Sequence, residues 1–318
     1  MTDNARVAQE PSADALGNPL KRYFLATRPA FLLASLVPCL VGIASAYTDG
    51  VDISWILALL TVLGAVLFHA AANVLNDFYD ALNGTDDINT TRIYPFTGGS
   101  RFIQNGVLSR AQTARFGFAL LFAGILLGLL LLQQSGTGLL WLGLMGTLLA
   151  WAYSAPPLSL NSRGLGELTI GIAFGLLPVI GSDYVQRGEF ALLPLLVAIP
   201  YGLLASGLLY INQFPDREAD ERAGKHHLVV RIGVQRARWG YLVLVVAANL
   251  YLLSMVATGY FSVWMLMPLL MAPTGLLAAM MLLKYATSPG KLAPAIRLSI
   301  VTVIVHGLLL ALGLVASK

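Results

Sequence analysis

The chain has 318 residues, of which 57% are hydrophobic and 11% charged, and its formal net charge is +4. Because soluble domains carry about 25% charged residues, this composition excludes an ordinary water-soluble protein and predicts an all-α integral membrane protein. The basic residues are confined to short segments between apolar runs, which argues against nucleic-acid binding. The single cysteine, Cys39, excludes a disulfide framework and a cysteine-based metal cluster.

The first segment, residues 1–19, is polar and of mixed charge. Asp3, Glu10 and Asp14 lie where a secretory signal peptide would have a basic start and an apolar core. We therefore predict a disordered cytoplasmic tail over residues 1–19, followed by a single transmembrane domain over residues 20–318.

Nine apolar runs follow, each near the roughly 20 residues that a helix needs to cross a bilayer. The predicted spans are 29–47, 54–76, 114–132, 136–153, 168–186, 190–214, 239–258, 261–283 and 294–315. With a cytoplasmic N-terminus, 18 of the 20 lysines and arginines fall on the cytoplasmic side, and only Arg187 and Lys318 fall outside. Cytoplasmic loops are enriched in positive residues, so this distribution supports both the orientation and the count of about nine helices.

Two cytoplasmic segments, about 77–113 and 215–238, are long, charged and continuous with an apolar helix. If helices two and six continue into them, neighbouring acids share one helix face at i,i+3 or i,i+4 spacing. Ionisable groups this close to the membrane indicate function. The two segments contain 8 of the chain's 16 acidic residues, namely Asp77, Asp80, Asp86, Asp87, Asp216, Glu218, Asp220 and Glu221.

Acids at this spacing repel one another, and a helix C-terminus is an unfavourable place for an anion. Mg²⁺ would offset both effects, because it is commonly held by one or two carboxylates and by substrate phosphates. The only nitrogen ligands in the two segments are His226 and His227, which disfavours Zn²⁺, and we expect both histidines to face solvent. The alternative is that the acids are ordinary solvated charges paired with nearby arginines.

Other residues near these segments suit an anionic ligand. Gly98 and Gly99 allow close approach of backbone N–H groups to an anion, with Arg101 beside them and Lys225 in the second segment. A simple turn is the alternative for the glycines. Tyr153 ends the fourth helix on the same side, where it faces the site or anchors the helix at the interface. Two further histidines, His69 and His306, lie inside predicted helices, where we expect hydrogen-bonded packing roles.

The two acidic motifs resemble those of the UbiA superfamily of intramembrane aromatic prenyltransferases, and the predicted nine helices are similar to that fold. The resemblance covers about residues 20–315. Finer details, Asn83-Gly84-Thr85-Asp86 among them, resemble the 1,4-dihydroxy-2-naphthoate branch of menaquinone biosynthesis. The motifs are Asn73-Val74-Leu75-Asn76-Asp77-Phe78-Tyr79-Asp80 and Asn212-Gln213-Phe214-Pro215-Asp216-Arg217-Glu218-Ala219-Asp220, the latter followed closely by Lys225.

The resemblance implies an enzyme that transfers a polyprenyl group from a polyprenyl diphosphate to an aromatic acceptor. It implies that Asp77, Asp80, Asp216 and Asp220 hold Mg²⁺ and are the catalytic residues. It further implies a bacterial inner-membrane protein with its site facing the cytoplasm and without an obligate protein partner. The substrate-binding residues implied are Asn73, Asn76, Arg101, Tyr153, Asn212 and Lys225.

Three alternatives stay open from the sequence. The first is that the acceptor is 4-hydroxybenzoate or another aromatic compound, although the Gly84 position and the second motif differ from the 4-hydroxybenzoate branch. The second is that the chain is a cation-coupled transporter, although transporter sites lie near the bilayer midplane and these acids lie at helix ends. The third is that the chain is a structural subunit, although both pairs of aspartates are intact.

Overall fold

The fold, seen in a computed structural model that describes residues 9–318, consists of helices, and no strand occurs within these residues. Twelve helices follow one another along this part of the chain. They are α1 Pro19–Ala26, α2 Pro29–Thr48, α3 Trp55–Asn83, α4 Thr85–Ile88, α5 Arg110–Ser135, α6 Gly138–Ala152, α7 Gly166–Arg187, α8 Leu192–Arg222, α9 Leu228–Ile232, α10 Val234–Ala257, α11 Val263–Tyr285 and α12 Ala293–Ala316.

A helix occurs at each of the nine positions where the sequence predicts a transmembrane span, within the described residues. Eight of them, α2, α3, α5, α7, α8, α10, α11 and α12, are long and apolar enough to cross a bilayer. The remaining one, α6, is apolar but has 15 residues, fewer than the roughly 20 that a perpendicular span requires. The all-α membrane fold expected from composition is therefore the fold observed.

Two helix ends differ from the prediction in a way that matters for function. Helix α3 continues to Asn83 instead of ending near residue 76, and α8 continues to Arg222 instead of residue 214. Hydropathy marks where the apolar run stops, whereas a helix stops at a conformational break. In α3 that break is Gly84, whose φ of +78° ends the helix in the left-handed conformation. The acidic motifs are therefore helical.

Helices α2 and α8 form the centre of the bundle, with 56% of each apolar window buried, against 22% for α5 and α10. Helix α2 packs against α3, α7, α8 and α12. Helices α7 and α8 cross closely, because a Cβ added at Gly175 would lie 2.4 Å from Gly202 Cα. Small residues allow this kind of backbone approach between membrane helices.

The segment before α1 contacts the loop that precedes α5. Of the predicted tail, residues 1–8 lie outside the described residues. Glu10 lies 2.6 Å from Arg92 Nη2, and Leu16 is buried in a small cluster with Phe102 and Leu108. This contact ties residues 10–16 to the loop that covers one end of the bundle.

Candidate active site

The two acidic motifs lie at the same end of the bundle, on the last turns of α3 and α8. Asp77, Asp80 and Asp220 are each less than a tenth exposed, and Asp216 is half-buried. The i,i+3 and i,i+4 spacing expected from the sequence therefore holds on both helices. Helix continuation, which the hydropathy pattern did not mark, is what gives each pair a common face.

The loop between α4 and α5 folds over these carboxylates and donates hydrogen bonds to them. Asn89 Nδ2 lies 2.7 Å from Asp216 Oδ1, and the Gly98 N–H lies 3.1 Å from Asp216 Oδ2. The Ser100 N–H lies 3.2 Å from Asp77 Oδ1. Two backbone N–H groups of the glycine-rich segment are thus directed at protein carboxylates.

Gly99 brings two acids into the same small space. Its φ is +72°, and a Cβ added there would lie 2.6 Å from Asp86 Oδ2 and 3.0 Å from Asp77 Oδ1. Glycine is required here both for the left-handed backbone and for the close approach of these carboxylates. The glycine pair is therefore part of the site's wall as well as a turn.

Lys225 joins the two acidic motifs. Its Nζ lies 2.7 Å from Asp80 Oδ1 and 3.4 Å from Asp220 Oδ1. Burial opposes the ammonium charge, but Asp80 and Asp220 outweigh burial and raise the pKa of Lys225 above its ordinary value. The lysine is therefore held as a cation between α3 and α8.

His227 is buried at this site, so the expectation that it faces solvent is wrong. Its Nε2 lies 3.2 Å from Asp220 Oδ2, and the residue is 2% exposed. The cause is tertiary, because the chain turns back after α8 and brings residues 225–227 against the helix end. His226 stays exposed.

Asp86 is a buried acid of the site that the sequence analysis counted among the clustered acids but did not assign to the metal or the substrate. Burial raises the pKa of Asp86 well above its ordinary value, and the nearby carboxylates of Asp80 and Asp77 raise it further. Its Oδ2 has no hydrogen-bond partner among the described residues. The sequence feature that could have indicated its position is Gly84. This glycine ends α3 and reverses the chain direction, so that α4 places Asp86 next to α3.

Unpaired oxygens at this end fit a hard divalent cation. Among the described residues, Asp86 Oδ2, Asn89 Oδ1 and Asn212 Oδ1 are buried without a partner. The donor types are carboxylate and amide oxygens, which Mg²⁺ prefers. No compact group of three or more acidic, histidine or cysteine ligands is formed within residues 9–318.

A cavity of about 480 Å³ begins at this site and extends into the bundle. Eight of the ten residues predicted for the site line it: Asn73, Asn76, Asp80, Tyr153, Asn212, Asp216, Asp220 and Lys225. Asn76 is fixed by donating to Asp80 Oδ2 at 3.2 Å and to Ser154 Oγ at 3.0 Å. Further from the acids the wall becomes apolar, with Leu129, Leu132, Leu139, Leu140 and Leu144.

Two predicted residues do not line the cavity. Asp77 faces Ser100, and the Arg101 guanidinium donates to the Asp86 carbonyl oxygen and approaches Glu10. Arg28, which the sequence did not single out, lines the cavity instead, and its buried Nε has no partner among the described residues. The choice between two arginines depended on loop conformation, which local sequence does not determine.

Comparison with known proteins gives a consistent picture. The model of the UbiA prenyltransferase family matches residues 35–314. The chain is 26% identical over 312 residues to a 1,4-dihydroxy-2-naphthoate octaprenyltransferase of Bacillus subtilis, covering 96% of this chain and 95% of that protein. It is 31% identical to UbiA prenyltransferase domain-containing protein 1 of Xenopus tropicalis, covering 79% and 70%. A UbiA homologue of Archaeoglobus fulgidus, solved with GPP and Mg²⁺, superposes with a TM-score of 0.62 at 17% identity, covering 91% and 99%.

Proposed function

Because the chain belongs to the UbiA prenyltransferase family, an integral membrane family of prenyl-transferring enzymes, we propose that it transfers a polyprenyl group from a polyprenyl diphosphate to 1,4-dihydroxy-2-naphthoate. The observation that carries the proposal is the cavity that joins a cluster of buried acids to an apolar interior. A diphosphate with a hydrocarbon tail has this same division into a charged head and an apolar chain.

Mg²⁺ is the metal that we assign to the acidic end, because the unpaired oxygens there are hard donors. Asp77, Asp80, Asp86, Asp216 and Asp220 would hold it, and when bound it would neutralise the charge that grows as the diphosphate leaves. Lys225 supplies a fixed ammonium at the same end, and Arg28 supplies a guanidinium.

The chain's own residues then govern the reaction at the allylic carbon. The C–O bond breaks with both electrons departing on the diphosphate, and fixed cations stabilise that anion. Apolar cavity walls keep water from the allylic cation, and the Tyr153 ring, which lines the cavity, favours a cation electrostatically. The acceptor ring forms the C–C bond with a π electron pair and regains aromaticity by losing a proton or CO₂.

The acceptor is inferred from similarity. The Bacillus subtilis relative that matches almost the full length of this chain is named for 1,4-dihydroxy-2-naphthoate, which agrees with the motif details. 4-Hydroxybenzoate is the alternative acceptor. Cation transport is disfavoured because the acids lie at helix ends and the cavity beyond them is apolar.

The orientation and location are part of the same proposal. The acidic end of the bundle carries the loops in which most lysines and arginines lie, so we assign that end to the cytoplasm. A bacterial inner membrane would then present the site to cytoplasmic diphosphate and naphthoate, while the polyprenyl chain enters the bilayer-embedded part of the cavity.

A product assay tests the proposal. Purified protein in detergent, given Mg²⁺ and one polyprenyl diphosphate, is offered dihydroxynaphthoate, 4-hydroxybenzoate or homogentisate in parallel. We expect a prenylated naphthoquinol and released diphosphate. Product from hydroxybenzoate alone would overturn the acceptor, and no product from any aromatic acceptor would overturn the function.

Single variants test the acidic site. Asp77→Ala and Asp216→Ala should each abolish turnover while the protein stays folded in detergent. Asp183→Asn is the matched control, because Asp183 is a fully buried aspartate that pairs with Arg187 far along α7 from the site. It should lower stability but keep turnover, and wild-type rates in either site variant would refute the assignment.

A further inference from the structure

His69 on α3 is a polar residue deep in the cavity that the proposed chemistry does not use. Its Nδ1 lies 2.9 Å from Ser35 Oγ on α2, and its ring meets the Phe174 ring edge-on at 4.4 Å between centroids. All three residues line the cavity. The imidazole is thus held in one orientation by two neighbouring helices.

The second ring nitrogen of His69 is accessible from the cavity. Nε2 makes no hydrogen bond to any residue from 9 to 318. It nevertheless keeps some accessible surface, unlike the fully buried polar atoms of these residues that lack a partner. The other helix-buried histidine, His306, does have a sealed Nε2 and does not line the cavity. The contrast separates a histidine buried only among packed helices from one that faces a ligand space.

The hydrogen bond to Ser35 determines what Nε2 offers. The Ser35 Oγ–His69 Nδ1 contact accommodates either tautomer of the imidazole, and in one of them Ser35 donates its hydroxyl proton to Nδ1. A neutral imidazole with Nδ1 as acceptor carries its proton on Nε2. In this tautomer His69 presents an N–H donor to the cavity.

The depth of His69 fits one part of a substrate pair. It lies eight residues before Asp77 on α3, about 12 Å along the helix at 1.5 Å per residue. A hydrocarbon chain cannot accept a hydrogen bond. An aromatic acceptor placed near the allylic carbon would instead bring the edge of its ring that is farther from that carbon to the depth of His69. Phe68 and Phe174 line the same part of the wall and suit a planar ring.

We propose that His69 is an acceptor-binding residue whose Nε2–H donates to an oxygen of the aromatic acceptor, with Ser35 positioning the ring. The inference rests on the proposed prenyl transfer and adds to it the part of the cavity that holds the acceptor. Specificity for an oxygenated aromatic ring then arises partly within the bundle, away from the acidic end.

Steady-state kinetics with each substrate varied in turn test this assignment. His69→Leu should raise the KM for dihydroxynaphthoate roughly tenfold, as expected for one lost hydrogen bond of about 1.4 kcal/mol, and leave the KM for the polyprenyl diphosphate unchanged. His69→Gln, which keeps a donor near the Nε2 position, should recover most of the acceptor affinity. An analogue lacking the contacted hydroxyl should show no penalty from His69→Leu.

Two further variants keep the test decisive. Ser35→Ala leaves His69 in place but removes the partner of Nδ1, so acceptor KM should again rise while donor KM does not. His306→Leu is the matched control for loss of a buried histidine and should change thermal stability without changing acceptor KM. Thermal unfolding in detergent is recorded for every variant.

The inference is overturned if His69→Leu leaves acceptor KM unchanged, or raises the KM of donor and acceptor equally. It is also overturned if the penalty is the same for every analogue. These results require an active wild-type enzyme. A wild-type protein that prenylates no aromatic acceptor instead overturns the proposed function itself, so the two failures are distinguishable.

Discussion

Lys225 Nζ lies 2.7 Å from Asp80 Oδ1, so a residue three positions beyond the end of α8 forms an ion pair with the end of α3, 145 positions earlier in the chain. The same ammonium lies 3.4 Å from Asp220. Both carboxylates are about nine-tenths buried, and the lysine is their common cation. This contact closes the acidic end of the bundle and joins the two motifs into one site.

Replacing Lys225 with methionine should destabilise the protein by about 3–5 kcal/mol, because two buried carboxylates lose their cation. Unfolding of the detergent-solubilised protein in metal-free buffer measures the loss. Adding Asp80→Asn to Lys225→Met should recover part of it. Lys21→Met, at an exposed lysine without an ion pair among the described residues, should be neutral. Equal stability of Lys225→Met and wild type would contradict the structural role of this contact.

Gly99→Ala should reduce turnover at least tenfold, because its Cβ would push apart Asp86 and Asp77. The matched control is Gly106→Ala. Gly106 has a similar φ of +67° but nothing within 4 Å of an added Cβ, so this variant should cost only about 1–2 kcal/mol of backbone strain and keep its rate. Equal turnover in the Gly99→Ala and Gly106→Ala variants would contradict the role of the close contact between Gly99 and the two carboxylates.

The contact of Glu10 with the loop should depend on pH. Burial opposes ionisation, but Arg92 and Asn105 outweigh it and lower the pKa of Glu10 below its ordinary value of 4.5. A carboxyl with a lower pKa in the folded state stabilises the fold above its unfolded pKa and ceases to do so as the pH falls through the folded pKa. The stabilisation should thus be complete above about pH 4.5 and be lost progressively as the pH falls from there through the lower pKa of the folded state.

Glu10→Gln tests that expectation through the melting temperature. The variant should be less stable than wild type by about 1 kcal/mol at neutral pH, and the difference should shrink as the pH is lowered through the depressed pKa of Glu10. Glu189→Gln is the control, because Glu189 is exposed and makes no ion pair among the described residues. A difference between wild type and Glu10→Gln that does not change with pH would contradict the prediction.

Gly146→Phe should shorten the polyprenyl chain that the enzyme uses. Gly146 lines the cavity, and nothing lies within 4 Å of an added Cβ, so the new ring would fill open space in the apolar part. The kcat/KM for a long donor should fall about tenfold or more, by the size discrimination typical of apolar pockets, while a ten-carbon donor is little affected.

Leu148→Phe controls for an added aromatic ring on the same helix. Leu148 is 51% exposed and does not line the cavity, so chain-length preference should not change. Competition between two donors in one reaction, followed by mass analysis of the products, gives the ratio directly. An unchanged ratio in Gly146→Phe would mean that the chain follows another path.

The sequence by itself determined the helices and the residues that supply most of the chemistry. Apolar runs and helical spacing are properties of neighbouring residues, so the positions of α2 and α12 and the shared face of Asp77 and Asp80 follow from them. Hydropathy did not locate the ends of α3 and α8, because polar residues continue a helix as readily as apolar ones until a conformational break such as Gly84.

Only the tertiary structure decided which side chains meet. Lys225 lies between Asp80 and Asp220, Asp86 returns beneath Gly99, and His227 is buried, because long loops fold back over the helix ends. Arg101 turns toward Glu10 and away from the cavity for the same reason. Such contacts join residues far apart in the chain, and their energies depend on the arrangement of the whole bundle, so no local pattern in the sequence encodes them.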